Sequence, residues 1–287
     1  MMRLTYENEY GEVLDLSRGN IRAVKADGLC LKSELKTVES ADLIGSAYVT
    51  GHIGCRRISL LLYAFGSYEK LSPVIFSTFR VLKNGVLTVL YDDGRVRKTT
   101  CITESIDYPL IKGCGKAVVT LLCPSPYFED IEWEDVQLCG ENELIEFDGF
   151  ELPEEDILEL SSINDRYSAA LINHGDTDIG CIITVSASRR AGGIKIINPD
   201  TKQQLAINYP VYAGAVLVFD TRSGHKSITI RNSSSADGDA ADITPYIKWG
   251  SEFIRLSPGR NRLYISAEYG LDGLSASVSY SQLFEGV

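Results

Sequence analysis

The side chains able to do chemistry are few in this sequence, and their spacing argues against most reactions. The three histidines, His52, His174 and His225, each stand next to a glycine in turn-like sequence, and no serine occupies the GxSxG setting that presents a nucleophile. Seven cysteines (Cys30, Cys55, Cys101, Cys114, Cys123, Cys139, Cys181) form no CxxC and pair with no histidine at zinc-ligand spacing, so they read as buried, reduced thiols. The run Lys112-Gly113-Cys114-Gly115-Lys116 resembles a phosphate loop, but Leu110 and Ala117 stand where the template needs glycine and a hydroxyl residue, leaving a turn before a strand. Asp237, Asp239 and Asp242 offer carboxylates to a hard cation, yet Ala241 breaks the EF-hand pattern and an acidic loop is the simpler reading. Glu154, Glu155 and Asp156 follow Pro153 and read as helix-start or loop residues, because glycoside hydrolysis needs two carboxyls roughly 5–9 Å apart across a sugar cleft. Trp133 and Trp249 lie in polar sequence and could stack on sugars, although packing over a core edge is the simpler expectation for each. These residues nominate no catalytic group, no metal and no cofactor.

The elements behind them read as strands. A chain of 287 residues suits two domains. Gly and Tyr are plentiful at 25 and 15, and Met is scarce at 2, a mix that favours strands and turns over helices. The net charge of −11 argues against specific nucleic-acid binding, since phosphates are held by clustered Lys and Arg. The opening residues have no apolar signal region, and no run approaches ~18 apolar residues, so membrane insertion is not expected and folding is expected in a cytoplasm.

Charge also divides the chain. Residues 1–128 carry 16 basic and 13 acidic side chains, whereas Glu129 to Glu159 carries 14 acids and no base. That acidic stretch is interleaved with Ile131, Trp133, Val136, Leu138 and Phe147, which argues for short strands with acidic outer faces rather than disorder. The boundaries expected are 1–128 and 129–287, with 129–165 an acidic lead-in to the second domain.

In the first half, Arg57 to Ala64 reads as a strand, and Gly85 to Ile106 as a hairpin turning at Asp93-Gly94. One helix is expected over 72–84, capped by Ser72, started by Pro73, ended by Gly85 and striped by Ile75, Phe79 and Leu82. From about Arg166 onward, eight or so short apolar strands alternate with turns at Asn198-Pro199-Asp200, Ser223-Gly224, Ser257-Pro258-Gly259 and Asp272-Gly273. That spacing predicts a β-sandwich or jelly roll.

At Val119 to Phe128 a strand ends in Cys123-Pro124-Ser125-Pro126-Tyr127-Phe128. Neither proline can continue a paired strand, so the segment closes a sheet. This signature resembles the end of the N-terminal domain in the distal tail proteins of long, non-contractile-tailed phages. The resemblance extends to Tyr6-x-Asn8 and Gly11, to Asn173-His174-Gly175-Asp176-Thr177, to Tyr212-Ala213-Gly214 through Phe219-Asp220-Thr221, and to Leu256-x-Pro258-Gly259-x-Asn261. The sequence departs from the family where a Gly-rich segment often precedes the Arg-x-Ile strand; here Ala47 to His52 stands instead.

The resemblance implies a mainly β protein: an N-terminal β-sandwich or barrel-like ring domain with one helix, followed by a galectin-like C-terminal sandwich. It also implies a homo-hexameric ring at the tail tip of the virion, between the tail tube protein and tail-associated, tail-tip or receptor-binding proteins, with no catalytic residues. The weakly charged residues 1–128 would hold the subunit interface. The alternative function is a carbohydrate-binding module on the second sandwich, serving adsorption to a host surface.

Overall fold

Residues of β-branched and aromatic type at every second position build strands through most of the chain. A computed structural model describes residues 2–39, 44–65, 68–108, 115–139, 167–232 and 240–287. The chain divides into two units, Met1–Ile131 with Leu283–Val287, and Glu132–Gln282. The return of the last five residues to the first unit has no counterpart in the sequence reading.

The first unit contains β1 (Arg3–Asn8), β2 (Val13–Asp15), β3 (Ile21–Asp27), β4 (Glu34–Glu39), β5 (Ser46–His52), β6 (Arg56–Ala64), α1 (Tyr68–Thr78), β7 (Asn84–Leu90), β8 (Val96–Asp107), β9 (Lys116–Cys123) and the start of β10 (Phe128–Cys139). Seven strands pair antiparallel in the order β2-β1-β7-β8-β9-β6-β3. Leu16 joins the two edges of this sheet: its N–H donates to the Leu4 carbonyl (2.9 Å) and its own carbonyl accepts from Ala23 (2.7 Å). The sheet thus curls into the barrel-like form expected. Its interior holds Ile58, Leu60 and Leu62 of β6 opposite Ala117, Val119 and Leu121 of β9, every second residue as the pleat requires.

The expected hairpin forms as β7 and β8, closed by Tyr91 N–H to Arg95 O at 2.9 Å with Asp93-Gly94 in the turn. The helix differs from expectation. It runs Tyr68–Thr78, so Ser72 and Pro73 lie in its interior rather than at its start. Pro73 is exposed there, and its missing N–H deprives only the carbonyl of Glu69. Ile75 and Phe79 are buried as the stripe required, with the Phe79 ring 4.3 Å from that of Tyr6. Leu82 is not part of the stripe: it is 82% exposed at φ +62, because its N–H has already turned to the Thr103 carbonyl (2.9 Å) to begin pairing with β8. Gly85 is no helix terminator. It lies in β7 under the Tyr6 ring, where a Cβ would sit 2.3 Å from the hydroxyl.

The second unit continues with the rest of β10 and then β11 (Ser168–Asn173), β12 (Ile182–Ala187), β13 (Lys195–Asn198), β14 (Gln203–Ala206), β15 (Ala215–Asp220), β16 (Ser227–Asn232), β17 (Ala241–Asp242), β18 (Gly259–Ser266) and β19 (Leu274–Phe284). One sheet has the order β17-β16-β15-β12-β19-β10, and the other β11-β18-β13-β14. Ile183, Val185, Leu217, Phe219 and Val278 are buried from the first sheet, and Leu171, Ile196, Leu205 and Leu263 from the second, giving a β-sandwich core.

The described part of the acidic stretch is one long strand, β10, rather than several short ones. Its acids have partners that let them stand in a sheet. Glu129 lies opposite Lys98 and Asp130 opposite Arg97 in the β10–β8 ladder, while Glu134 accepts from Tyr280 Oη (2.6 Å) and Gln282 Nε2 (2.8 Å). Residues 140–166, including Glu154, Glu155 and Asp156, lie outside the described residues, as do Lys112 to Cys114, Asp237 and Asp239.

Candidate assembly surfaces

The residues singled out in the sequence prove to be builders of turns. Cys123 is buried at the end of β9, exposed Pro124 and half-buried Pro126 and Tyr127 form the bend that follows, and Phe128 is buried as β10 begins. The hydrogen bond to Cys123 and burial push the Cys101 thiol well above its ordinary range, and burial pushes Cys181 up to about 12. These thiols, with buried Cys139, are poor nucleophiles. Cys30 and Cys55 depart from the expectation and are exposed, because both precede strands in surface segments; Cys114 lies outside the described residues.

In the second unit, three buried asparagines fasten three successive carbonyls. Asn198 Nδ2 donates to Arg255 O (2.9 Å), Asn173 Nδ2 to Leu256 O (2.9 Å) and Asn261 Nδ2 to Ser257 O (2.7 Å). Asn173 Oδ1 also accepts from Gly175 (2.8 Å), while Asp176 is exposed beside it. Pro258 leads into Gly259, which like Gly214 takes a positive φ (+93 and +82) that L side chains rarely adopt. Thr221 Oγ1 accepts from the Cys181 N–H (2.8 Å) and returns a bond to the Cys181 carbonyl (3.0 Å), joining the end of β15 to the start of β12. Burial works to raise the Asp220 carboxyl, but the hydrogen bonds and charge of Arg222 outweigh it and hold the group below the usual aspartate range. Among the described residues no group of three His, Cys, Asp or Glu is placed to hold a metal ion, and Asp242 serves the Thr244 N–H (2.9 Å).

A surface that the sequence reading did not single out is the hairpin of β4 and β5. It pairs with no other strand of the described chain, and every residue in both strands is exposed. It nevertheless carries Leu35, Val38, Tyr48 and Val49, with Ile44 and Ile53 beside it. The signal available was Ala47 to His52 itself, a β-branched and aromatic segment where a Gly-rich one was expected.

Residues 174–282 match the family described as siphovirus-type tail component, C-terminal domain. The match covers most of the second unit. The fold of the chain is shared along its length with the crystal structure of the SPP1 Dit protein, described as a paradigm of hub adsorption apparatus in phages infecting Gram-positive hosts. The two align at TM-score 0.68 and 14% identity over 99% of each chain. Two structures of the phage P2 baseplate in its activated conformation, with Ca and with Sr, align at TM-score 0.47 and 11% identity, covering 97% and 98% of this chain and 98% of theirs. Comparison with the curated proteins gives no match.

The two tryptophans of the chain have different settings. Trp133 is half-buried on β10 with the Arg222 guanidinium 5.5 Å from its ring centre. Trp249 contradicts that expectation: it is fully exposed (102%), because it sits at the corner of a turn outside β14.

Proposed function

We propose that this chain is a distal tail protein that closes into a ring of six and joins the tail tube protein to tail-tip or receptor-binding proteins. The family of the second unit supports a place in a siphophage tail, and the likeness in fold to SPP1 Dit extends that reading to the first unit. The observation that carries the assembly step is the β4–β5 hairpin. A lone two-stranded hairpin is marginally stable in water, and this one leaves four large apolar side chains uncovered by the other described residues. A neighbouring copy is the fitting cover, since repeated head-to-tail contacts close a ring and residues 1–128 carry little net charge to oppose it. The role is geometric rather than catalytic. Light scattering on the size-exclusion peak of the full chain tests this: about six times 31.6 kDa is expected, and a monomer at every concentration overturns the ring.

A second reading, capture of a host-surface saccharide by the second unit, is favoured by the full exposure of Trp249.

A further inference from the structure

We infer that Trp249 and the cleft beside it form a saccharide-binding site, with the indole as the stacking platform for a pyranose ring and Glu268, Lys195 and Gln204 as its hydrogen-bonding groups. The inference rests on the second reading above and gives it a location.

The exposure of Trp249 is fixed by the backbone. Ser251 N–H donates to Lys248 O at 3.1 Å and Gly250 has φ +80, the signature of a type II turn with Trp249 at its first corner. Both ends of the turn are tied to β14: Lys248 N–H donates to Ala206 O and Glu252 N–H to Gln204 O, each at 2.8 Å. Ser251 Oγ adds a bond from the Ala206 N–H at 3.1 Å. The first corner of such a turn admits most residues, so the fold does not require tryptophan there. A large aromatic side chain held wholly in water forgoes the burial that normally stabilises it.

Beside the indole lies a cleft of roughly 300 Å³, at the small end of ligand pockets. Its lining is polar. Lys248 Nζ binds Glu268 Oε1 at 2.5 Å, and Gly193 lies so close that a Cβ there would meet Glu268 Cγ and Cδ at 2.4 Å. The pair is 37% and 62% exposed, a setting in which an ion pair stabilises little, so its consequence is to hold the carboxylate at the cleft. A pyranose matches this arrangement. Its C–H face suits the indole π-surface, its hydroxyls donate to Glu268, and its oxygens accept from Lys195 and Gln204. Two lysines against one carboxylate leave the lining positive, which suits a neutral or anionic sugar. A protein hot spot would instead surround the aromatic anchor with tightly packed apolar neighbours.

The chain has two tryptophans, so Trp133→Phe leaves Trp249 as the lone indole reporter. Full-length Trp133→Phe protein is titrated with glucose, galactose, N-acetylglucosamine and glucuronate, and the wild type is put on a glycan array. A saturable blue shift or quench with at least one sugar is expected. Trp249→Ala should weaken array binding by roughly tenfold or more, with an unchanged melting curve because the side chain is fully exposed among the described residues, and Glu268→Gln should weaken it with the indole intact. Array binding that Trp249→Ala leaves unaltered overturns this site while the second reading stands. No binding by the wild type to any saccharide overturns both, and so does a Trp249 surface that takes up only a tail protein.

Discussion

Arg56 lies over the ring of Phe128, its guanidinium 4.6 Å from the ring centre and 5% exposed. Nη1 donates to Leu29 O (2.7 Å) and Nη2 to Glu285 O (2.5 Å), and burial lowers its pKa from the usual arginine value. A buried cation so placed is held by carbonyls and a π-face, at a desolvation cost that those contacts must offset. Arg97 repeats the motif, donating to Gly286 O (2.5 Å) over the Phe284 ring at 3.6 Å. Two arginines therefore fasten the last five residues to the first unit, and Val287 packs against its core.

Replacing Arg56 with alanine should release that strap. The expected loss is about 2–4 kcal/mol, since two carbonyls lose a charged donor and Phe128 loses its cover. Hydrogen exchange at residues 283–287 should rise together with the fall in melting temperature. A melting loss with those amides still protected would refute the strap.

Placing a charge in the exposed hairpin should separate assembly from folding. Tyr48→Asp alters a side chain 65% exposed, so the subunit's own stability should move by no more than about 0.5 kcal/mol. Sedimentation velocity should show single subunits in place of the ring. An intact ring with Asp at position 48 would remove β4–β5 from the interface.

Asn261 closes the turn after Leu256 on itself. It is fully buried, donates to Ser257 O and Gly259 O (2.7 and 3.1 Å), and accepts from Ser257 N–H (3.0 Å). Asn261→Ala leaves these groups unpaired and should cost about 2–3 kcal/mol in urea unfolding of the second unit. Exposed Asp176→Ala nearby should cost far less, and equal losses for the two would show that burial is not the cause.

Stability should fall in acid through Asp220. Its folded carboxyl titrates below its unfolded value, so its contribution is full above about pH 4 and is lost as pH drops through the folded pKa. Asp220→Asn should therefore flatten the acid limb of stability below about pH 4. In a Trp249→Phe background it should also red-shift Trp133 emission, because Arg222 loses the partner that sets it over that ring. A variant as acid-labile as the wild type would assign the acid limb to other carboxylates.

What the sequence made legible was local chemistry. Asp93-Gly94, Asn198-Pro199 and Pro258-Gly259 form turns because their backbone preferences act within a few residues, and Pro124 and Pro126 end a strand for the same reason. The misplaced helix shows the limit: Pro73 is equally at home at a start or on an exposed interior face, and the contact that decides, Phe79 against Tyr6, lies 73 residues away. Arg56 and Arg57 are neighbours of identical type, yet the pleat sends one inward over Phe128 and the other out to Glu104 at 3.1 Å. The uncovered hairpin reads as ordinary strand because exposure is set by what fails to pack on it. Trp249 was more accessible: Lys248-Trp249-Gly250-Ser251 read as a type II turn would have placed the indole at an exposed corner.

The proposed function depends first on a closed ring of this chain. Negative-stain electron microscopy of the purified full-length protein tests it directly, with class averages of six-fold rings as the predicted result. Scattered single subunits, or open filaments, at concentrations where the protein is folded would contradict it.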